Sequence, residues 1–96
     1  MSEGDDAADW QRLDLWLWYG RVAKTRAECA RQIAMGRVRI NSQRTDKAHA
    51  KLRPGDVLTL TIGGQLRVWR VLALPTRRGP AAEARTLFED LSESAQ

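Results

Sequence analysis

Two alternating segments joined by a pair of glycines constrain the fold of this chain more than any other feature. Residues 57–62 alternate leucine or isoleucine with valine and threonine, which is the two-residue period of a strand with one buried face. Gly63 and Gly64 supply a compact hairpin turn, and residues 66–74 follow as the return strand. The sequence therefore predicts an antiparallel sheet built around this hairpin.

Two helical segments precede the hairpin. Apolar residues recur at three- and four-residue intervals on two sides of residues 12–23, which predicts a first helix that is buried between layers or exposes a contact surface. A second helix is predicted over 26–35. Thr25 is its expected N-cap, Glu28 completes a capping box, and Gly36 stands where a C′ glycine ends a helix. The short connection, of about three residues, predicts a tight helix pair.

A basic strand is predicted directly after the second helix. In residues 37–41, Val38 and Ile40 point to the core, and the two arginines between and before them point outward as a basic ridge. Residues 44–53 are polar and are expected to be mostly irregular. The Pro-Gly-Asp sequence at 54–56 indicates a turn.

The C-terminal part is predicted to be a basic linker over 75–80 followed by a third helix from 81 to about 91. Its apolar stripe is expected to pack on the first helix, near Leu15 and Trp18. The alternative is a detached helix that binds a partner. The fold class is α+β, with a two-helix pair packed on a small, mostly antiparallel sheet and an additional C-terminal helix. The predicted organisation is a disordered acidic tail (1–9), a domain (10–74), the linker (75–80) and the helix with its tail (81–96).

Charge is distributed unevenly along the chain. Residues 10–80 hold fifteen Lys or Arg against four Asp or Glu, whereas residues 1–9 and 81–96 are acidic. A basic domain of this kind indicates a nucleic-acid or an anionic membrane partner. No signal peptide and no apolar run of membrane-spanning length is evident, so we expect a cytoplasmic protein without a membrane partner.

Catalytic groups are sparse in the sequence. Cys29 and His49 are the only residues of their types, so no cysteine-based metal site or His/Cys cluster can form within the chain. No glycine-rich phosphate loop follows the hairpin glycines. Asp14 and Arg21 lie seven residues apart on one predicted helix face and could pair with each other. We therefore expect a non-enzymatic protein with no cofactor and no metal.

Basic residues at the start of the second helix suit an anion. Lys24 and Arg26 oppose the positive end of the helix dipole, and free backbone N–H groups lie at the same place. Arginine accounts for thirteen of the sixteen basic residues, and its planar fork binds phosphate in a bidentate manner. Such a surface fits structured RNA, although charge alone does not separate RNA from DNA or anionic lipid.

Five short motifs resemble the S-four (S4) RNA-binding domain, which is named after a small-subunit ribosomal protein, and they keep the order and spacing of that domain. The resemblance covers roughly residues 12–62, and Ser42 stands where that family usually has glycine. The motifs are Arg12-Leu13-Asp14, Arg21, Lys24-Thr25-Arg26, Gly36-Arg37-Val38-Arg39-Ile40-Asn41 and Pro54-Gly55-Asp56. The Leu-Trp-Leu-Trp run at 15–18 and residues 78–84 are similar to the ribosome-associated fifteen-kilodalton heat-shock protein family.

The resemblance implies a function in ribosome rescue or recycling related to heat shock. The implied partners are structured ribosomal RNA and a large ribosomal subunit that carries a stalled nascent chain, with peptidyl-tRNA as a further contact; the free protein is expected to be a monomer. By position, the resemblance places the RNA contacts on Arg12, Arg21, Lys24, Thr25, Arg26, Arg31, Arg37, Arg39 and Asn41.

Two other functions remain open from the sequence. The chain could be an RNA-targeting accessory module of an RNA-modifying enzyme or of a tRNA-handling complex. It could also be a protein-interaction module that uses Leu15, Trp18 and the C-terminal helix. Copurification with an enzyme would favour the first of these, and copurification with ribosomal subunits would favour the ribosomal function.

Overall fold

The structure, a computed structural model, describes residues 9–92. Its helices are α1 (Leu13–Tyr19), α2 (Arg26–Ala34) and α3 (Ala81–Ala84), and a 3-10 turn (Arg85–Leu87) follows α3. Its strands are β1 (Gln11–Arg12), β2 (Val38–Ile40), β3 (Gln43–Thr45), β4 (Lys51–Leu52), β5 (Val57–Ile62), β6 (Gln65–Val71) and β7 (Phe88–Asp90). The acidic tail expected over 1–9 lies, apart from Asp9, outside the described residues.

The strands form two antiparallel sheets. Strands β1 and β4 pair with each other, and the remaining five form a sheet in the order β3-β2-β5-β6-β7. The helix pair covers one face of the larger sheet. This arrangement confirms the predicted α+β class, and the β5–β6 hairpin pairs Ile62 with Gln65 around the two glycines as the alternation predicts. No helix among residues 9–92 is long and apolar enough to cross a membrane.

The core lies between the helix pair and the inner face of the larger sheet. Trp16 occupies its centre, and its indole Nε1 donates a 2.9 Å hydrogen bond to the carbonyl oxygen of Ala73, so this large buried ring leaves no unpaired donor. The other fully buried side chains come from both helices and from β4, β5 and β6: Leu13, Leu17, Cys29, Ile33, Leu52, Leu58, Leu60 and Val71.

Helix α1 is shorter than the sequence predicted. It ends at Tyr19, four residues early, and Arg21 adopts a left-handed backbone with φ of 63°, which stops the helix. Residues 20–25 therefore connect the helices in place of the expected three-residue link. The longer connection brings the first residue of α2, Arg26, back to the first turn of α1, where its Nε lies 3.4 Å from Asp14.

Gly36 ends α2 as the sequence predicted. Its φ is +77°, its N–H donates to the carbonyl of Ile33, and the N–H of Arg37 donates to that of Gln32, which is the hydrogen-bond pattern of a Schellman motif. A Cβ on Gly36 would lie 2.7 Å from Nη2 of Arg44. The glycine therefore both turns the chain and leaves room for an arginine of β3.

Strand β3 was not predicted, since residues 44–53 were expected to be mostly irregular. It arises because Asn41 and Ser42 both adopt left-handed backbone conformations, with φ of 52° and 71°, and so form a two-residue hairpin loop between Ile40 and Gln43. Strand β4 also lies within the segment expected to be irregular. The turn chemistry at 41–42 therefore determines an extra strand.

Replacing Ser42 with glycine should stabilise the fold. A left-handed backbone costs a residue with a Cβ about 1–2 kcal/mol, and the greater entropy of glycine in the unfolded chain offsets part of the gain, so we expect a net increase of about 0.5 kcal/mol. Urea unfolding of Ser42→Gly measures this. Ser42→Ala is the matched control and should not be stabilised, because it keeps the Cβ. An unchanged or lower free energy of unfolding for the glycine variant would contradict the assigned turn.

The C-terminal segment differs from the predicted helix over 81–91. The helical part ends at Leu87, and β7 then pairs with β6, with Phe88 opposite Val71 and Asp90 opposite Trp69. The expected contact with Leu15 and Trp18 is also wrong: Phe88 stacks on Trp69 with ring centroids 3.7 Å apart and contacts Trp16 edge-on at 6.3 Å. The free edge of β6 offers unpaired backbone groups, and pairing them outweighs the helical period of this short segment.

The ring of Trp18 is covered by the linker instead. The guanidinium carbon of Arg78 lies 5.2 Å from the ring centroid, and its Nε donates 3.0 Å to the carbonyl oxygen of Trp18. The same side chain reaches the carbonyl of Ala23 at 3.4 Å. Arg78 thus satisfies carbonyl groups at and after the C-terminal end of α1, where cations are favoured. The linker residue has a structural contact with the helix pair.

Candidate nucleic-acid interface

A buried carboxylate holds two of the predicted site residues together. Asp14 is 4% exposed, and it accepts hydrogen bonds of 3.1 Å from both Nε and Nη2 of Arg12. Arg26 donates to the same carboxylate from Nε at 3.4 Å. The two arginine side chains remain 46% and 42% exposed. Asp14 therefore fixes one edge of each guanidinium and leaves other N–H groups directed to solvent, where an anion can approach.

The charge state of Asp14 suits this role. Burial alone would raise the pKa of Asp14, but the hydrogen bond from Arg12 and the charge of Arg26 together lower it below its ordinary value of 3.8. The carboxylate is therefore ionised at neutral pH. The pairing of Asp14 with Arg21 that the sequence suggested is wrong, because the left-handed turn at Arg21 directs its Nε to the carbonyl oxygen of Gly79, at 2.9 Å.

The N-terminal end of α2 is capped by Thr25. Its Oγ1 accepts a 3.0 Å hydrogen bond from the N–H of Glu28, as predicted. The Glu28 carboxylate extends along the helix to Arg31 and Gln32, at 2.7 and 2.8 Å, where the capping box predicted that it would turn back to the cap. The Thr25 hydroxyl has a helix-capping function, and the neighbouring Lys24 is exposed and makes no ion pair with residues 9–92.

A chain of polar contacts continues from α2 into the segment before β2. Arg37 donates from Nη1 to Oε1 of Gln32 at 3.1 Å, and Gln32 in turn donates to Glu28. The hydrogen bonds from Gln32 and Arg31 lower the pKa of Glu28 below its ordinary value. Arg31 therefore has a carboxylate partner, whereas the guanidinium of Arg37 hydrogen-bonds only to the neutral amide of Gln32.

Arg39 and Arg44 form the most unusual pair on this surface. They lie directly opposite each other across β2 and β3, and Thr59 of β5 is the other cross-strand neighbour of Arg39. Like charges directly opposite each other destabilise a sheet. Within residues 9–92 neither guanidinium has an acidic partner. Arg44 was not among the predicted site residues, because a turn was expected at 41–43 but no strand after it that would bring Arg44 opposite Arg39.

Asn41 connects two of the sequence motifs. Its Nδ2 donates 3.0 Å to Oδ1 of Asp56, its Oδ1 accepts 2.9 Å from the N–H of Val57, and its own N–H donates to the carbonyl of Val57 at 2.7 Å. The asparagine therefore joins the β2–β3 turn to the Pro-Gly-Asp turn that precedes β5. In this structure its side chain positions the two turns and has one amide N–H left for a ligand.

The predicted site residues thus fall into separate groups. Arg12 and Arg26 meet at Asp14, Arg31 and Arg37 are connected through α2, and Arg39 joins Arg44. Arg21 lies apart from these groups, at the linker. Among residues 9–92 no three His, Cys, Asp or Glu side chains are grouped to hold a metal ion. Burial raises the pKa of Cys29 to about 11, so this thiol is protonated and unreactive at neutral pH.

A model of the S4 domain matches residues 11–58, which is half of the chain. The chain belongs to the S4 domain family. The matched residues contain the Asp14 contacts, the Arg39–Arg44 pair and the Asn41–Asp56 bridge, and they confirm the resemblance that the motifs indicated. Strands β6 and β7 and the linker lie outside the match.

Relatives within this family share most of the chain. Heat shock protein 15 of Escherichia coli (strain K12) is 40% identical over 85 residues, which are 88% of this chain and 63% of that protein. The homolog of Haemophilus influenzae is 34% identical over 85 residues, with 88% and 64% covered. The chain therefore spans less than two thirds of the length of these curated relatives. A solved trimeric structure of heat shock protein 15 from Vibrio cholerae superposes with a TM-score of 0.83 at 30% identity, covering 91% of this chain and 87% of that one.

Proposed function

We propose that this protein binds structured ribosomal RNA without catalysing a reaction, through an S4 surface formed by Arg12, Lys24, Arg26, Arg37, Arg39 and Arg44. The observation that carries the proposal is the pair Arg39 and Arg44, which lie opposite each other within the S4 match. Neither side chain forms an ion pair with an acid among residues 9–92. A phosphate between two such guanidinium groups would accept hydrogen bonds from both and remove their repulsion. A surface built in this way is stabilised by its ligand.

The distribution of ion pairs supports this location. In the C-terminal half, Arg70 pairs with Glu89 at 3.2 Å and Arg77 with Glu83 at 3.0 Å, so acids neutralise these two cations. Within residues 24–53, Arg26 and Arg31 pair with acids. Among residues 9–92, no ion pair is formed by five other cations of this range: Lys24, Arg39, Arg44, Lys47 and Arg53. Cations without an acidic partner are therefore grouped at the start of α2 and at the β2–β3 edge, where they can attract a polyanion.

The sequence motifs favour a ribosomal target, and the names of the relatives favour a role in heat shock. The curated relatives are named heat shock proteins, and the motifs resemble a family that associates with ribosomes. We therefore propose a cytoplasmic, heat-shock-related role in which the protein recognises a large ribosomal subunit that still carries a stalled nascent chain on its tRNA. Arginine-rich surfaces of this kind recognise structured RNA through its shape and phosphates, which suits a folded ribosomal RNA element.

Replacing Arg39 and Arg44 together with alanine should weaken binding to large ribosomal subunits by about 10- to 50-fold, since two phosphate contacts are removed. Each lost contact should also reduce the slope of log affinity against log salt by about one. Both side chains are exposed, so the variant should fold normally. Affinity is measured by subunit sedimentation and by fluorescence anisotropy with ribosomal RNA fragments.

The control is the double variant Arg70→Ala, Arg77→Ala. It removes the same charge from two cations that acids already neutralise, and we expect less than about a threefold change in affinity. Equal losses for the two double variants would show that only net charge matters and would refute the proposed surface. An unchanged affinity of the Arg39→Ala, Arg44→Ala variant would also refute the proposed surface.

A further inference from the structure

A second basic groove lies on the inner side of the larger sheet, between the end of α1 and the β6–β7 pair. It measures about 520 Å³, and three arginines from distant parts of the sequence line it: Arg21, Arg67 and Arg85. Phe88 and Asp90 of β7 also line this groove. All of these residues except Arg21 lie outside the S4 match. The groove is therefore distinct from the Arg39–Arg44 surface.

The charges of this groove are not balanced. Arg85 forms no ion pair within residues 9–92, and Arg21 uses only its Nε, for the carbonyl of Gly79. Arg67 donates to Gln65 at 2.9 Å, and its Nη1 is 4.0 Å from Asp90, the single carboxylate in the lining. The groove thus contains three guanidinium groups and one carboxylate, and that carboxylate lies at the limit of ion-pair distance from Arg67. The excess of two positive charges can be neutralised by an anion.

The same groove contains an aromatic wall. Phe88 is partly exposed and lines the groove, and its ring stacks on Trp69 with ring centroids 3.7 Å apart, which keeps both rings rigid. Trp69 is 7% exposed, and its indole Nε1 is a buried donor with no hydrogen-bond partner among residues 9–92. This N–H is closed off from solvent, so it can report on changes at the stacked Phe88 ring without binding the ligand itself.

We propose that this groove binds one nucleotide unit of the RNA, with the phosphate between Arg21, Arg67 and Arg85 and the base against the ring of Phe88. Guanidinium groups bind phosphate oxygens, and a rigid ring in a basic groove is the combination that holds a single unpaired nucleotide. The inference rests on the proposed RNA-binding function and extends it, because it adds an unpaired strand to the structured RNA held by the S4 part. A free nucleotide offers the same phosphate and base chemistry, and the experiment separates the two sources.

The test uses the full chain and two probes. Large-subunit ribosomal RNA fragments with a single-stranded overhang should bind Arg85→Glu about 5- to 20-fold more weakly than the unaltered chain, through loss of a phosphate contact and added repulsion. Titration with adenosine monophosphate should shift the indole N–H resonance of Trp69 in the unaltered chain and much less in Arg85→Glu. Arg77→Glu is the control for added negative charge on the same C-terminal segment.

The outcomes separate this proposal from the RNA-binding function itself. If Arg39→Ala with Arg44→Ala leaves RNA affinity unchanged while Arg85→Glu lowers it, the S4 surface is refuted and the groove stands. If Arg85→Glu and Arg77→Glu bind RNA equally, the groove is refuted while the S4 surface stands. Adenosine monophosphate binding with unchanged RNA affinity in Arg85→Glu would assign the groove to a free nucleotide and overturn the assignment to RNA. The amide spectrum of each variant confirms that it is folded.

Discussion

A chain that ends after Pro75 should not fold cooperatively. The cut removes β7, which pairs with β6 through Phe88, Glu89 and Asp90, and it removes Leu87 from the core. Loss of a buried Phe or Leu side chain alone costs about 2–5 kcal/mol, and the whole stability of a domain is about 5–15 kcal/mol. Exposure of the Trp16 and Trp69 rings that Phe88 covers adds to the loss. We therefore expect an unfolded or molten chain at room temperature.

Near-ultraviolet circular dichroism and urea unfolding measure this result, because the aromatic cluster supplies the near-ultraviolet signal. The matched control ends after Ser92 and keeps every described C-terminal contact, so it should unfold at the same urea concentration as the full chain. A chain cut after Pro75 that keeps a native signal and a cooperative transition would support the alternative in which the C-terminal segment serves a partner. The fold then would not depend on β7.

Local chemistry explains which elements the sequence predicts correctly. The N-cap Thr25, the C′ residue Gly36 and the glycine pair of the β5–β6 hairpin each act within a few residues, so their effect can be read without knowledge of the fold. The class and the helix pair follow from these signals. The end of α1 was misplaced because the apolar period continues past Tyr19, while the left-handed Arg21 that stops the helix has no local sequence signal.

Long-range pairing explains the elements that could not be predicted. Phe88 fits a helical stripe as well as a strand, and only its pairing with Val71 at the edge of β6, far earlier in the sequence, makes it part of a strand. The site shows the same limit. The cationic residues were identifiable by type, but the partners of Asp14 depend on how the connection at 20–25 folds back. Arg39 and Arg44 lie opposite each other only because of the register of β2 and β3, and the residue pattern alone does not specify that register.

Asp14→Asn should lower the free energy of unfolding by about 2–3 kcal/mol at neutral pH. The carboxylate is buried, and it receives charge-assisted hydrogen bonds from Arg12 and Arg26, each of which contributes more than a neutral hydrogen bond. An amide in its place has no charge, so the two neighbouring guanidinium groups repel each other without compensation. The partial exposure of both arginines keeps the loss below that of a fully buried pair.

The stability lost in Asp14→Asn should decrease as the pH falls. The pKa of Asp14 is lower in the folded protein than its ordinary value of 3.8, so the unfolded chain binds this proton at a higher pH than the folded chain does. The stabilisation is therefore complete above about pH 5 and declines as the pH falls below about 4 through the folded pKa. Urea unfolding of the unaltered chain and of Asp14→Asn is measured between pH 2 and pH 7. The difference between their free energies of unfolding should decrease as the pH falls.

Glu28→Gln is the control. The pKa of Glu28 is also lowered, but the Glu28 carboxylate is more exposed than that of Asp14 and pairs with Arg31 on the helix surface. An exposed pair of this kind contributes little to stability, so the control should lose less stability than Asp14→Asn at every pH above 5. Equal losses for the two variants, or a loss for Asp14→Asn that persists at pH 2, would mean that Asp14 does not stabilise the fold through its charge. Arg12 and Arg26 would then be positioned by the helix pair alone, and the S4 surface would keep its geometry without the buried carboxylate.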